Sequence, residues 1–173
     1  MKKQINKILK DNNLGIKLDI GCGANKQPGF VGIDVRPEQG VDIVHDLQTY
    51  PWPLPDNSVS LAVCSHVMEH INPADFGFIK FMNEIWRVMK PGSELVASFP
   101  YAGSPGYWQD PTHCNGITEV TWAYFDPVDS SRLYNIYRPK PWKIKFSSWA
   151  VGGHMEVILI KRKIDKSYGC EEN

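Results

Sequence analysis

The stretch LDIGCGANKQPGFVGID, residues 18–34, constrains this chain more than any other. Lys17-Leu18-Asp19-Ile20 is a short, mostly apolar run that enters Gly21-Cys22-Gly23 directly. Two glycines one residue apart let a backbone turn tightly at a strand end and let a ligand approach its N–H groups. Phe30-Val31-Gly32-Ile33 is a second apolar run, and Asp34 sits where its chain would leave a sheet. A carboxylate at that place can accept hydrogen bonds from both hydroxyls of a ribose. Strand, glycine turn, strand and acid together describe a pocket for a nucleoside-containing cofactor.

The loop differs from a dinucleotide-binding fingerprint. Lys26 stands where G-x-G-x-x-G would place its third glycine, and the acidic residue comes too early. Roughly nine residues separate the two runs, fewer than a helical crossover needs. Without that helix a diphosphate loses its seat on a helix N-terminus. A phosphate-free adenosyl ligand such as S-adenosylmethionine therefore suits the loop better than NAD, and a nicotinamide-dependent oxidoreductase is disfavoured.

With 173 residues the chain is long enough for one domain and short for two. Its 19 basic side chains equal its 19 acidic ones, so no bulk charge favours nucleic acid or an anionic membrane. No apolar run approaches the roughly 20 residues of a membrane span. The N-terminal MKKQINKILKDNN is basic without an apolar stretch and cleavage site, which excludes a signal peptide by its pattern. Cys22, Cys64, Cys114 and Cys170 form no C-x-x-C pair and read as free thiols of a reducing, cytoplasmic environment.

Taken in order, residues 4–10 suggest a short amphipathic helix with Ile5, Ile8 and Leu9 on one face. After the opening motif, residues 41–44 predict a third strand with exit His45-Asp46-Leu47, and residues 50–58 a proline-rich loop. Residues 59–64 are the best buried strand. Asn72-Pro73 predicts the cap and first position of a helix carrying Phe78, Ile79, Met82, Ile85, Trp86 and Met89, stopped by Lys90-Pro91-Gly92. Residues 94–99 predict the next strand, then a Gly/Pro-rich loop to Gly116 and a short helix over 118–125. Residues 142–146 and 156–162 alternate like an antiparallel hairpin, and a polar tail runs from 163 to 173. This alternation predicts a single α/β domain: a Rossmann-like, mostly parallel open sheet closed by a C-terminal antiparallel hairpin.

Four segments in this order resemble the class I S-adenosylmethionine-dependent methyltransferases, in their compact form with a shortened first crossover: LDIGCG (18–23), GID (32–34), DL…LPDNSVSLAVCSHVMEHI (46–71) and EIWRVMKPGSEL (84–95). The resemblance implies a sheet of about seven strands with the last one antiparallel. It implies S-adenosylmethionine as cofactor, with Asp19, Gly21, Cys22 and Gly23 along its methionine and ribose portions and Asp34 on the ribose. It places Asp46 and Leu47 at the adenine and Ser65 and His66 beneath the methionine group. Ser60 stands where many members have an acid. Beyond Tyr101 the family varies freely, so the resemblance leaves the acceptor open.

A sulfonium methyl is already an activated electrophile, so transfer is mainly positioning and desolvation, and it requires no metal. A hydroxyl or ammonium acceptor also needs a proton acceptor. Asp110 and His113, in the loop after the fifth predicted strand, are candidates, since that sheet edge faces the ligand crevice and imidazole can take a proton near neutrality. The bland reading is an Asp110-Pro111 turn with His113 as a cap. Tyr101, Tyr107, Trp108 and His70 are candidates for walling a small-molecule acceptor, or for ordinary loop packing. Cys22 reads as a packing residue. His66-Val67-Met68-Glu69-His70 matches an H-x-x-E-H zinc-hydrolase pattern, but that pattern needs one continuous helix, and a strand end and Pro73 argue against it. The basic-aromatic run 134–145 reads as a solvated hairpin face instead of a nucleic-acid surface. The sequence thus points to a methyltransferase acting on a small acceptor. A non-catalytic module that binds S-adenosylmethionine or S-adenosylhomocysteine is the alternative, and oligomeric state is open.

Overall fold

The computed structural model describes residues 2–11, 14–150 and 152–168. Seven strands form one sheet: β1 (Ile16–Ile20), β2 (Val31–Asp34), β3 (Ile43–Val44), β4 (Val59–Ser65), β5 (Met89–Pro100), β6 (Trp142–Trp149) and β7 (His154–Lys161). Their order is β3-β2-β1-β4-β5-β7-β6. The first five pair in parallel, and β7 lies antiparallel between β5 and β6. This is the Rossmann-like sheet with a C-terminal hairpin that the sequence predicts, and the switch between β1 and β4 puts a crevice at their C-terminal ends.

The crossovers are unusual. Residues 21–30 join β1 to β2 through turns alone, as the spacing predicts, and β2 also reaches β3 without a helix. Among the described residues, the only long helix between strands is α2 (Gly77–Val88), which links β4 to β5. It buries Phe78, Phe81, Met82, Ile85 and Val88 on the sheet, the 3.6-residue period of an amphipathic helix. Rings extend this layer: Phe78 meets Phe125 edge-on at 5.8 Å, and Phe99 lies 5.7 Å from Trp122. The N-terminal helix α1 (Lys2–Asp11) packs Ile5, Ile8 and Leu9 against the same core. On the other face, Leu61, Val63, Ile158 and Ile160 are half-buried, and Val96 and Phe146 exposed. No helix among the described residues is long and apolar enough to cross a membrane.

Several local expectations are corrected. The helix starts at Gly77 instead of Pro73. Asn72 Oδ1 accepts from the Ala74 amide at 2.9 Å, a side-chain turn that leads into the 3-10 turn Ala74–Phe76. Asp75 and Phe76 then take left-handed backbone, and a Cβ at residue 77 would lie 2.0 Å from the Asn72 carbonyl oxygen, so only glycine fits. At the other end, α2 stops at Val88. Lys90-Pro91-Gly92 lie within β5, where Gly92 has φ +81° and the register against β4 shifts. The run 134–145 is not all hairpin. It opens with a short helix, Tyr134–Tyr137, whose buried Tyr134 donates its hydroxyl to the Pro139 carbonyl at 2.8 Å. The Gly/Pro-rich loop contains a helical turn, Pro105–Trp108, capped by Ser104. The predicted short helix after Thr118 is present as the 3-10 segment Glu119–Tyr124 with Thr118 and Thr121 as a reciprocal cap. Of the polar tail, residues 169–173 lie outside the described residues, as does Cys170.

The proline-rich loop is fastened to α2. The Trp52 amide donates to Glu84 Oε1 at 2.5 Å and its indole N–H to the Leu47 carbonyl at 3.0 Å. Arg87 grips both Glu84 oxygens, at 2.9 and 2.6 Å, and Asp56 at 2.5 Å. Beside it, Lys161 is almost fully buried, with Nζ 2.7 Å from both Asn57 Oδ1 and the Met89 carbonyl and 3.8 Å from the Trp86 ring centroid. Burial pushes the Lys161 ammonium down to about 8 from an ordinary 10.5. Between those values the unfolded chain holds a proton that the folded chain has released, so this group adds stability as pH rises through the window. It removes that stability as pH falls back through 8. We predict that in urea unfolding the stability of wild type minus that of Lys161→Met increases from pH 7.5 to pH 10. A difference independent of pH would contradict the assignment.

Candidate active site

The glycine loop is pinned by the strands that flank it. Gly21, at φ +69°, donates its amide to the Ile33 carbonyl at 2.8 Å, so the chain leaving β1 is tied to β2. A Cβ at residue 21 would come within 2.2 Å of Val67 Cγ2, and one at residue 32 within 2.5 Å of Cys22 Sγ. Gly21 is therefore required by close packing as much as by backbone angle, and Gly32, in ordinary strand backbone, by close packing alone. Gly23 (φ +50°) donates to Asp34 Oδ2 at 2.9 Å, while Arg36 N donates to Asp34 Oδ1 at 2.9 Å. Asp19 Oδ2 accepts from the Gln27 amide at 2.7 Å; burial raises its carboxyl above the usual range, opposed by that bond and by Lys26. Lys26 and the Gly32 amide both bind Asp42 Oδ2, at 2.6 and 2.8 Å.

Above this loop opens a cleft of about 680 Å³, within the range of small-ligand sites. Of the residues assigned from sequence to a cofactor, Gly21, Gly23, Asp34, Asp46, Leu47 and His66 line it, and so does His70. Asp19, Cys22 and Ser65 do not. Asp19 braces the loop, and Ser65 faces the Ser98 hydroxyl at 2.8 Å. Cys22 is buried, its thiol pushed up to about 11 by burial and then by Asp19 and Asp34, which fits packing and not reactivity. Asp46 also closes a turn through the Gln48 amide (2.9 Å) and Thr49 hydroxyl (3.1 Å). Lining residues that sequence reasoning missed include Val35, Arg36, Glu38, Gln48, Val67, Ile71 and Thr112. Most directly follow a recognised strand end, and that adjacency was the available signal. Asp34, Glu38 and Asp46 against Arg36 make the lining net acidic, before counting the histidines.

A second group of side chains forms the wall at His70 and Thr112. His66 has left-handed backbone (φ +55°), and Met68–His70 is one 3-10 turn, so no helix carries His66 and His70 on one face. Glu69 is 1% exposed, and neither carboxylate oxygen has a hydrogen-bond partner; His66 Nδ1 lies 3.2 Å from Oε1. The loop 110–113 folds onto this turn: the Cys114 and Asn115 amides donate to the Glu69 carbonyl at 2.9 and 3.0 Å.

Within that loop Asp110 is a turn former. Its Oδ1 accepts from the Thr112 amide at 2.8 Å and hydroxyl at 2.6 Å, and these bonds hold its carboxyl below the usual range. A carboxylate held in that way is a weak proton acceptor. Its Oδ2 lies 3.8 Å from His113 Nε2. His113 Nδ1 is 2.6 Å from the Tyr107 carbonyl, which can only accept, so Nδ1 carries the proton and Nε2 keeps a lone pair. The Thr112 hydroxyl, having donated to Asp110, accepts from His70 Nδ1 at 3.0 Å, which frees the other nitrogen of His70 in the same way. Tyr107 is buried beside His113, whereas Trp108 is 76% exposed and Tyr101 stacks on Trp149 at 5.2 Å. The structure therefore brings His70, Tyr107, Asp110 and His113 together, sets the exposed Trp108 edge-on to Tyr107 at 5.0 Å, and leaves Tyr101 outside that cluster.

Residues 18–97 match the family model described as a methyltransferase domain. No curated protein matches the chain in sequence. Among solved structures, the chain is similar to a SAM dependent methyltransferase from Archaeoglobus fulgidus, with a TM-score of 0.60, 18% identity and 92% of each chain covered. A SAM dependent methyltransferase from Aquifex aeolicus is similar at a TM-score of 0.54, 17% identity and 92% of each chain. The [4+2]-cyclase SpnF is similar at 0.57 and 15%, over 92% of this chain and 80% of that one. The glycine loop and Asp34 thus lie inside a segment that matches a methyltransferase domain, and the seven strands in that order give the chain the Rossmann-like fold of these SAM dependent methyltransferases.

Proposed function

We propose that this protein is a cytoplasmic S-adenosylmethionine-dependent methyltransferase acting on a small-molecule acceptor. The observation that carries the reading is Asp34, fixed by two loop amides at the end of β2 and facing a net-acidic cleft over a helix-free glycine loop. The residues fit the cofactor: a Cβ on Gly23 would meet no atom within 4 Å, leaving room for a ligand against bare backbone, and an acidic lining favours a sulfonium cation. In this reading Gly21, Gly23 and Ala24 run along the methionine and ribose portions, and Asp34 accepts from the ribose hydroxyls. Asp46, Leu47 and Gln48 border the adenine, while His66 and Val67 lie under the methionine group. Cys22 and Asp19 act by holding the loop in shape. When bound, the cofactor supplies a methyl group already activated as an electrophile.

The acceptor enters beside His70 and Thr112, which line the cleft; Tyr101, stacked on Trp149, and the exposed Trp108 are outside that lining and contact the acceptor only if it extends beyond the cleft. Tyr107 contributes through its carbonyl, which orients His113. A proton leaving a hydroxyl or ammonium acceptor is taken at the His70–His113 cluster, where both imidazoles keep an open nitrogen. Asp110 supports that cluster by fixing Thr112. A second reading, a module that binds the adenosyl ligand without methyl transfer, is supported by the similarity of this fold to the [4+2]-cyclase SpnF.

Calorimetric titration with S-adenosylmethionine, S-adenosylhomocysteine and NAD tests the cofactor reading, and transfer of a labelled methyl group to an acceptor panel separates enzyme from module. Binding of the first two and not NAD is expected; NAD binding alone would overturn the proposal. Asp34→Asn should weaken S-adenosylmethionine binding by about 10- to 100-fold, the worth of hydrogen bonds to a charged acceptor, and lower the unfolding midpoint slightly, since Asn keeps one of the two oxygens that hold the Gly23 and Arg36 amides. Gly21→Ala should lower unfolding free energy by ~2–4 kcal/mol, since it combines left-handed backbone with a clash against Val67. Urea denaturation measures the latter directly.

A further inference from the structure

The Glu69–His70–His113 cluster contains more than proton acceptance requires. One donor atom from each of these three side chains lies within 4.8 Å of one from each of the others. The carboxylate is buried and neither oxygen accepts a hydrogen bond; among the described residues its ion-pair neighbour is the half-exposed His66, whose Nδ1 lies 3.2 Å from Oε1 and leaves Oε2 without any partner, an arrangement that is costly unless a cation or a proton compensates it. Both imidazoles have Nδ1 committed as a donor, His113 to the Tyr107 carbonyl and His70 to the Thr112 hydroxyl. Outer partners of this kind orient metal-bound histidines and fix the tautomer that leaves Nε2 free to ligate. A solitary general base needs neither a second imidazole presented in the same way nor a buried carboxylate between them.

We propose that Glu69, His70 and His113 bind a divalent transition-metal ion of the zinc class, with two nitrogen ligands and one oxygen ligand and the remaining position open toward the cleft. Ligands around a tetrahedral zinc ion stand about 3.4 Å apart, so side-chain rotation that draws these donor atoms in from within 4.8 Å closes the set. Two histidines and one carboxylate suit zinc, cobalt(II), iron(II) or manganese(II) better than magnesium or calcium, which prefer oxygen. The set is not the H-x-x-E-H zinc-hydrolase arrangement, because His66 is not among the ligands and His113 comes from a different loop. Since His70 lines the cleft, the open position faces the proposed acceptor side, where an acceptor hydroxyl or carboxylate oxygen completes the shell. That last step rests on the methyltransferase reading, whereas ion binding does not. With the ion present, coordination would acidify an acceptor hydroxyl so that its proton passes to solvent water in the open cleft, and the oxygen would attack the methyl group without a free imidazole as base.

The experiment is titration of the chelator-treated full-length protein with zinc and with cobalt(II), followed by calorimetry and by the visible absorption of bound cobalt. One equivalent per chain is expected, with a cobalt spectrum of low coordination number. Glu69→Gln, which keeps the shape, and His113→Asn should each weaken binding by about 100-fold. Thr112→Val, on an exposed side chain, should weaken it by about 10-fold and keep the apo-protein's melting temperature. Absence of stoichiometric binding overturns the proposal, as does binding that Glu69→Gln, His113→Asn and Thr112→Val leave unchanged. Loss with His66→Asn and not with His113→Asn also overturns it, in favour of a His66–Glu69 site. Titration of S-adenosylmethionine on the same samples is read separately, so failure of the metal site and failure of the cofactor reading are distinguishable.

Discussion

Three aspartates hold a helix-free crossover in shape, and the cleft exists because they do. Asp19 takes the Gln27 amide, Asp34 takes the Gly23 amide, and Asp42 takes the Gly32 amide together with Lys26. A crossover with a helix satisfies its own backbone and packs an apolar stripe on the sheet. Ten residues of turn can do neither, so carboxylates at strand ends accept the stray N–H groups instead. This explains why the loop tolerates Lys26 at the third-glycine position: its ammonium is neutralised by Asp42 and takes no part in lining the cleft. It also explains why Asp34 is already oriented before any ligand is present.

The sheet was legible because its strands are short apolar runs bounded by glycine, proline and acid, and because their order carries a known motif series. The helix-free first crossover was legible from length alone. The start of α2 was not. Asn72-Pro73 has the composition of a helix N-terminus, but the Asn72 carbonyl leaves room for nothing larger than glycine at position 77, a tertiary constraint that no local pattern reveals. Residues 134–137 misled for a related reason: alternation of aromatic and polar residues is shared by a strand face and by a helical turn with one buried tyrosine. At the site, strand-end residues such as Asp34, Asp46 and His66 were found, while Gln48, Thr112 and Ile71 were missed because their side chains reach the cleft through turn geometry.

The loop 110–113 takes the turn reading of its sequence, and that turn sets where its side chains lie. Asp110 is a turn residue, and by being one it orders Thr112 against His70 and brings His113 against the Met68–His70 turn. The hydrogen bonds of one local turn therefore set the relative placement of two histidines from distant segments. The two halves of the wall come from segments more than forty residues apart, so their joint chemistry lies outside the reach of any single motif.

The thin edge of the sheet has a dynamic consequence. β2 has four residues and β3 two, and neither is joined to its neighbour by a helix. Such an edge opens locally at a fraction of the free energy needed to unfold the core under α2. Asp34 and Asp46 both sit at it, so a molecule that touches them together with His66 and Val67, which follow β4, stitches the weakest margin of the sheet to its strong centre. Occupancy is thereby converted into rigidity.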